Sequence, residues 1–178
     1  MNHPYLNGRH ESFTILDTPM DIPFPRKGGR ALEVGCGRGY NIEHQKPNFQ
    51  RIIGVEFNPV FEQEFSEIDF RRNYFHTVYI PNELAYCGDI FLRTEILHRC
   101  HRVLRFGGYL VFRMEKTKRK TNYYQLNNLN YKTRIHKKEL GMYWHLQQCG
   151  YVSTRTVDRG DHRWVITQKP ATNASRKK

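Results

Sequence analysis

The sequence predicts an α/β fold built on one mostly parallel sheet, with an antiparallel strand at its end. Three observations carry that expectation. Short continuous apolar runs, of the kind found in strands covered on both faces, alternate along the chain with stretches of helical periodicity. The first run stops at a turn of three glycines, Gly35-Cys36-Gly37-Arg38-Gly39. The last two runs flank Asp158-Arg159-Gly160-Asp161, a turn suited to a closing pair of strands. At 178 residues the chain fits one domain, long enough to bury a core without a disulfide or metal staple.

Residues 1–29 are polar and broken by Pro4, Pro19, Pro23 and Pro25, and read as an arm with at most one short element around Phe13-Thr14-Ile15-Leu16. The domain follows over 30–170, and 171–178 form a basic tail. Arg30–Val34 is the first strand, stopped by the glycine turn. A weak, polar helix over 40–46 is limited by Pro47, and Arg51–Glu56 is the second buried strand. Apolar residues at 60, 61, 65 and 68 predict an amphipathic helix over Val60–Phe70. Tyr74–Ile80 is the next strand and ends at Pro81-Asn82. From Ile90 to Leu104, apolar groups at 92, 96, 97, 100, 103 and 104 mark one helical face, closed by Phe106-Gly107-Gly108. Tyr109–Phe112 is the fourth strand. Lys137–Cys149 reads as a helix whose stop, Gly150, suits a left-handed cap. Tyr151–Val157 and Trp164–Thr167 close the sheet.

Charge is the strongest compositional signal, at 29 Lys and Arg against 17 acids, a net of +12. Residues 113–138 alone carry nine cations and one acid, and Arg176-Lys177-Lys178 add three more cations, so the remaining 149 residues are nearly neutral. One basic segment on a neutral body points to a local anionic partner such as a phosphate backbone. Four cysteines without a CxxC pair fit reduced thiols and argue against a disulfide framework or a paired-cysteine zinc module. No apolar run is long enough for a membrane span, and the first twenty residues lack the apolar stretch of a signal peptide, so a cytoplasmic location is the default.

A strand that ends in GxGxG lets the backbone turn sharply and lets a ligand approach without an intervening side chain. Glu56 ends the next strand, where an acid can accept both hydroxyls of a ribose. A hydride-transfer cofactor and a methyl donor both satisfy that geometry. The dinucleotide fingerprint GxGxxG is not met, since Tyr40 and Asn41 follow the last glycine, and no Walker lysine loop is present.

These residues reach a recognisable pattern. ALEVGCGRGY resembles the first motif of the class I S-adenosylmethionine-dependent methyltransferases, and IIGVEFNP resembles their second. FHTVYIPNELAYCGD is similar to their fourth-strand region, ILHRCHRVLRFGGYLVF to the stretch written RVLKPGG plus a strand, and KKELGMYWHLQQCGYV to their late helix ending in a Gly-aromatic pair. The resemblance covers about 30–169 in the family's order. It implies a Rossmann-like methyltransferase sheet with S-adenosyl-L-methionine as cofactor. Only 18 residues separate Glu56 from the fourth-strand region, which implies a compact sheet with one strand–helix unit lost.

The resemblance assigns the donor pocket to Glu33, Gly35, Cys36, Gly37, Gly39, Glu56, Phe57 and Asn82, and puts Asn82 and Glu83 beside the transferred methyl. Cys36 reads as a packing residue, since C5 methylation of cytosine of the usual kind needs a Pro-Cys pair that the chain lacks. Ile80-Pro81-Asn82-Glu83 departs from the Asx-Pro-Pro-aromatic pattern of amino methyltransferases. Lys27, Asp89, Lys116 and Glu139 line up with a Lys-Asp-Lys-Glu ribose-methylating set only by force. His98, Cys100 and His101 lack a further cluster to complete a metal site, and no metal is expected. In the basic segment, Lys116, Lys118, Arg119 and Lys120 alternate with Tyr123, Tyr124 and Tyr131, a mixture suited to phosphates and unpaired bases. Three functions stay open: a nucleic-acid methyltransferase with RNA favoured over DNA, a methyltransferase of anionic metabolites, and an inactive module that binds RNA.

Overall fold

The computed structural model describes residues 20–37, 39–55, 70–81, 90–115, 142, 144–160 and 162–172. They form a six-stranded sheet: β1 (Arg30–Val34), β2 (Arg51–Val55), β3 (Phe75–Ile80), β4 (Leu104–Glu115), β5 (Val152–Arg159) and β6 (His162–Gln168). Its order is β2-β1-β3-β4-β6-β5. The first four pair in parallel, and β6 runs antiparallel to both β4 and β5. Among the described residues β2 is an outer strand. The predicted helix over Val60–Phe70 lies, but for Phe70, outside the described residues, as do Phe13–Leu16 of the arm.

Alternation along the strands divides the core into two layers. Leu32, Val34, Val78, Ile80, Leu110, Phe112 and Val165 face one side. There they meet Ile96, Leu97, Cys100 and Val103 of α2 (Ile90–Val103), and Met142, Leu146 and Cys149 of the helical turns around 144–148. Gly150 (φ 85°) ends those turns as the sequence predicts. Its N–H donates to the Gln147 carbonyl at 2.9 Å, and the Tyr151 N–H donates to that of Leu146 at 2.9 Å, the paired bonds of a Schellman cap. Tyr151 then turns inward and donates from its hydroxyl to the Leu97 carbonyl at 2.9 Å.

Ala31, Tyr79, Val111, Trp164 and Ile166 face the other side. No long helix among the described residues covers them. Met20, Ile22 and Phe24 of the arm do so instead, with Phe49 from the turn after α1 (Tyr40–Gln45). The Phe24 ring packs edge-on against Phe49 and Tyr79, with centroids 4.9 and 5.2 Å apart. The described part of the arm is therefore a layer of the core.

One boundary differs from expectation. Phe106-Gly107-Gly108 does not close a helix: α2 ends at Val103, and Leu104 already pairs with Phe75. The register then jumps, with Thr77 opposite Tyr109. The glycine pair makes a bulge. Gly107 has φ 72°, and a Cβ on Gly108 would lie 2.8 Å from the Arg105 carbonyl oxygen and 3.0 Å from that of His76. Lys169 fastens this corner, donating to the carbonyls of His101 and Leu104 at 2.7 and 2.8 Å and to Asn73 Oδ1 at 2.8 Å.

Candidate donor-binding site

From β1 the chain passes to β2 on one side, while β3 lies on the other, so the strand order reverses at the carboxyl end of β1. That reversal opens the crevice in which α/β sheets bind ligands. The glycine turn occupies it. Gly35, Gly37 and Gly39 have φ of 79°, 50° and 79°, all in the region that side-chain-bearing residues rarely enter. The Gly35 and Cys36 N–H groups donate to the Val55 carbonyl at 2.8 and 3.2 Å, which ties the turn to the end of β2. Among the described residues a Cβ placed on Gly37 would meet nothing within 4 Å, so this backbone borders open space there. Cys36 packs inward: a Cβ on Gly54 of β2 would lie 2.8 Å from both its Cβ and its Sγ.

Glu33 lies two residues before the turn and is fully buried. Tyr79 Oη donates to its Oε2 at 2.8 Å, and Asn41 Nδ2 donates to its Oε1 at 3.3 Å. Burial, followed by the neighbouring carboxylate, pushes the Tyr79 hydroxyl far above its ordinary pKa, so it remains a donor. Asn41 also accepts from the Met20 N–H at 3.0 Å, and Gln45 Nε2 donates to the Met20 carbonyl at 3.0 Å. Two α1 side chains one turn apart thus hold one residue of the arm beside the glycine turn.

The structure brings Glu33, Gly35, Cys36, Gly37 and Gly39 together at the crevice. Glu56, Phe57, Asn82 and Glu83 lie outside the described residues, as do Lys116, Lys118, Arg119, Lys120, Tyr123, Tyr124 and Tyr131. The chain enters these stretches at the same rim: β2 ends at Val55, β3 at Ile80 and β4 at Glu115, all parallel to β1. Sequence reasoning missed Tyr79, Asn41, Gln45 and Gly54. Tyr79 reads as one more apolar strand residue until register shows it opposite Glu33. Asn41 and Gln45 had a signal, since a spacing of four puts both on one helix face.

Cys100 is buried in the apolar layer, its thiol pushed up to about 12 by burial, and the His101 ring packs edge-on against Tyr151. Among the described residues no group of three or more His, Cys, Asp or Glu side chains could hold a metal ion. No helix among them is long and apolar enough to cross a membrane.

A parallel sheet whose order reverses at a three-glycine turn, closed by an antiparallel strand, is the fold of the class I methyltransferases. Residues 32–112 match the family described as methyltransferase domain. A phosphoethanolamine N-methyltransferase 2 of Haemonchus contortus, solved with phosphomonomethylethanolamine and S-adenosylhomocysteine, is similar at TM-score 0.55 and 14% identity, over 84% of this chain and 50% of its own. The 16S rRNA N2 G1207 methyltransferase of T. thermophilus, solved with AdoMet and guanosine, is similar at TM-score 0.52 and 15% identity, over 85% of this chain and 37% of its own. This chain thus spans half or less of the length of these two structures. No curated protein matches its sequence.

Proposed function

We propose that the chain transfers a methyl group from S-adenosylmethionine to a nucleic acid, RNA before DNA. The observation that carries the donor assignment is the glycine turn, three positive-φ residues bordering open space where the strand order reverses. Glu56, the first residue after β2, is the acid assigned to the ribose hydroxyls. The donor, when bound, supplies a methyl already activated by its sulfonium. The chain then has to align the acceptor and exclude water, which can supply most of the rate effect. Asn82 and Glu83, just past β3, are the residues assigned to that alignment.

Support for a polyanionic acceptor is charge in the right place. Residues 113–138 hold a net +8 and begin at the end of β4, on the rim that carries the glycine turn. The two neighbours named above act on an rRNA and a phosphorylated amine, so this fold serves both kinds of acceptor.

Calorimetry with S-adenosylmethionine and its demethylated product tests the donor half. Micromolar binding is expected, and absence of heat at millimolar ligand overturns it. Glu56→Ala removes two charge-assisted bonds of about 1.5–3 kcal/mol each, so affinity falls by about tenfold or more. Donor turnover with RNA, DNA and metabolite pools tests the other half. Turnover with metabolites alone establishes the small-molecule reading, and RNA binding without turnover establishes an inactive module.

A further inference from the structure

We propose that Glu33 and Asn41 close the glycine turn from beneath as a carboxylate–amide pair, and that this pair, by positioning the turn, sets the affinity for the donor. The inference rests on the donor reading above and assigns Glu33 a positioning role in it.

Glu33 precedes the turn and Asn41 follows it, so their 3.3 Å bond closes a loop that contains Gly35, Gly37 and Gly39. Three glycines at positive φ give that loop little conformational bias of its own. Something outside the glycines must select one arrangement. The Val55 carbonyl holds the incoming side through Gly35 and Cys36. Asn41 holds the outgoing side, and is itself held by the Met20 N–H at 3.0 Å.

Glu33 presents no exposed surface to a ligand in this arrangement. Its side chain is fully buried and each carboxylate oxygen already accepts a bond, from Tyr79 at 2.8 Å and from Asn41. A buried charge is tolerated only when it is bonded in this way, and removing one partner leaves the other costly. The carboxylate therefore works as a pin between β1, β3 and α1. Through Asn41 the pin extends to the arm, so the layer formed by Met20, Ile22 and Phe24 shares in holding the turn.

An exchange of the two groups separates positioning from contact. Asn41→Asp puts two carboxylates face to face in a buried site, and S-adenosylmethionine affinity measured by calorimetry on the full chain is expected to fall by about tenfold or more. The exchange Glu33→Gln with Asn41→Asp rebuilds the pair in reverse. The amide then at position 33 can accept from the Tyr79 hydroxyl and donate to the carboxylate then at position 41. That carboxylate still accepts from the Met20 N–H, and affinity is expected to return to within about threefold of wild type. A swap that stays as weak as Asn41→Asp while its thermal midpoint matches wild type overturns the inference, because the donor then requires the carboxylate at position 33 itself. Wild-type affinity in Asn41→Asp overturns it too. If Asn41→Asp alone does not fold, the swap still decides by the same comparison with wild type. A wild-type chain that binds no donor strikes the donor reading and this inference together, whereas wild-type binding with an unrestored swap strikes this inference alone.

Discussion

Gly54 stands in the middle of β2, where glycine weakens a strand, and the reason lies in its neighbours. A Cβ there would overlap Ile42 Cδ1 of α1 and come within 2.8 Å of Cys36. The glycine turn and the first turn of α1 are thus seated directly on β2, and the absent side chain sets how closely they approach. Gly54→Ala is expected to destabilise the fold by about 1–3 kcal/mol, the usual cost of an added methyl in a packed site. It should also weaken donor binding, since Cys36 must move. Urea denaturation and calorimetry check the two effects, and an unchanged midpoint would show that the turn is loosely seated. Gly37 is a different case. A branched residue there enters open space yet must adopt φ 50°, so its cost is backbone strain as well as obstruction of a ligand. The sequence predicts both a sharp turn and a ligand's approach at these glycines, and the dihedral angles bear out the turn.

At the scale of elements, the helical turns around 144–148 dock on α2 through a polar contact amid apolar ones. His145 Nε2 lies 2.6 Å from Thr94 Oγ1, beside buried Met142 and Leu146. Burial lowers the His145 pKa below its ordinary 6.5, and the charges of Arg93 and His98 lower it further. The unfolded chain therefore binds the proton more readily than the folded one. Stability from this site is fully present above about pH 6.5 and falls as pH drops toward the folded pKa, by at most about 1.4 kcal/mol per pH unit. His145→Gln can keep a bond to Thr94 without titrating. The difference in unfolding free energy between wild type and His145→Gln is expected to change as pH falls below about 6.5 and to stay flat above about 7. A difference independent of pH would mean that His145 is not protonated on unfolding. Helices of this kind were legible in the sequence because one apolar face repeats, as in Ile96, Leu97, Cys100 and Val103. The bulge in β4 was not, because Phe106-Gly107-Gly108 carries the same turn signal whether it ends a helix or kinks a strand.

For the whole molecule, parallel pairing was legible from continuous apolar runs. The arm's role in the core was not. Met20, Ile22 and Phe24 are spaced like a strand but separated by Asp21 and Pro23, so no periodicity marks them as the cover of a sheet face. The candidate site divides in the same way: glycines announce themselves, while Tyr79 and Asn41 acquire meaning only through register and a closed loop. What the body leaves to the basic segment can be measured by salt dependence. If Lys118, Arg119 and Lys120 each neutralise a phosphate, changing all three to Ala should remove about two units from the slope of log affinity against log salt for single-stranded RNA, at about 0.7 per phosphate. Tyr123→Ala and Tyr124→Ala should each cost roughly 1–3 kcal/mol if the rings stack on bases, with little change in that slope. Donor affinity should be unchanged in all of these variants, because the donor pocket is assigned to other residues. Unchanged RNA affinity in the triple variant, or no RNA binding by wild type at low salt, would discard the polynucleotide acceptor and leave the anionic metabolite as the substrate to seek.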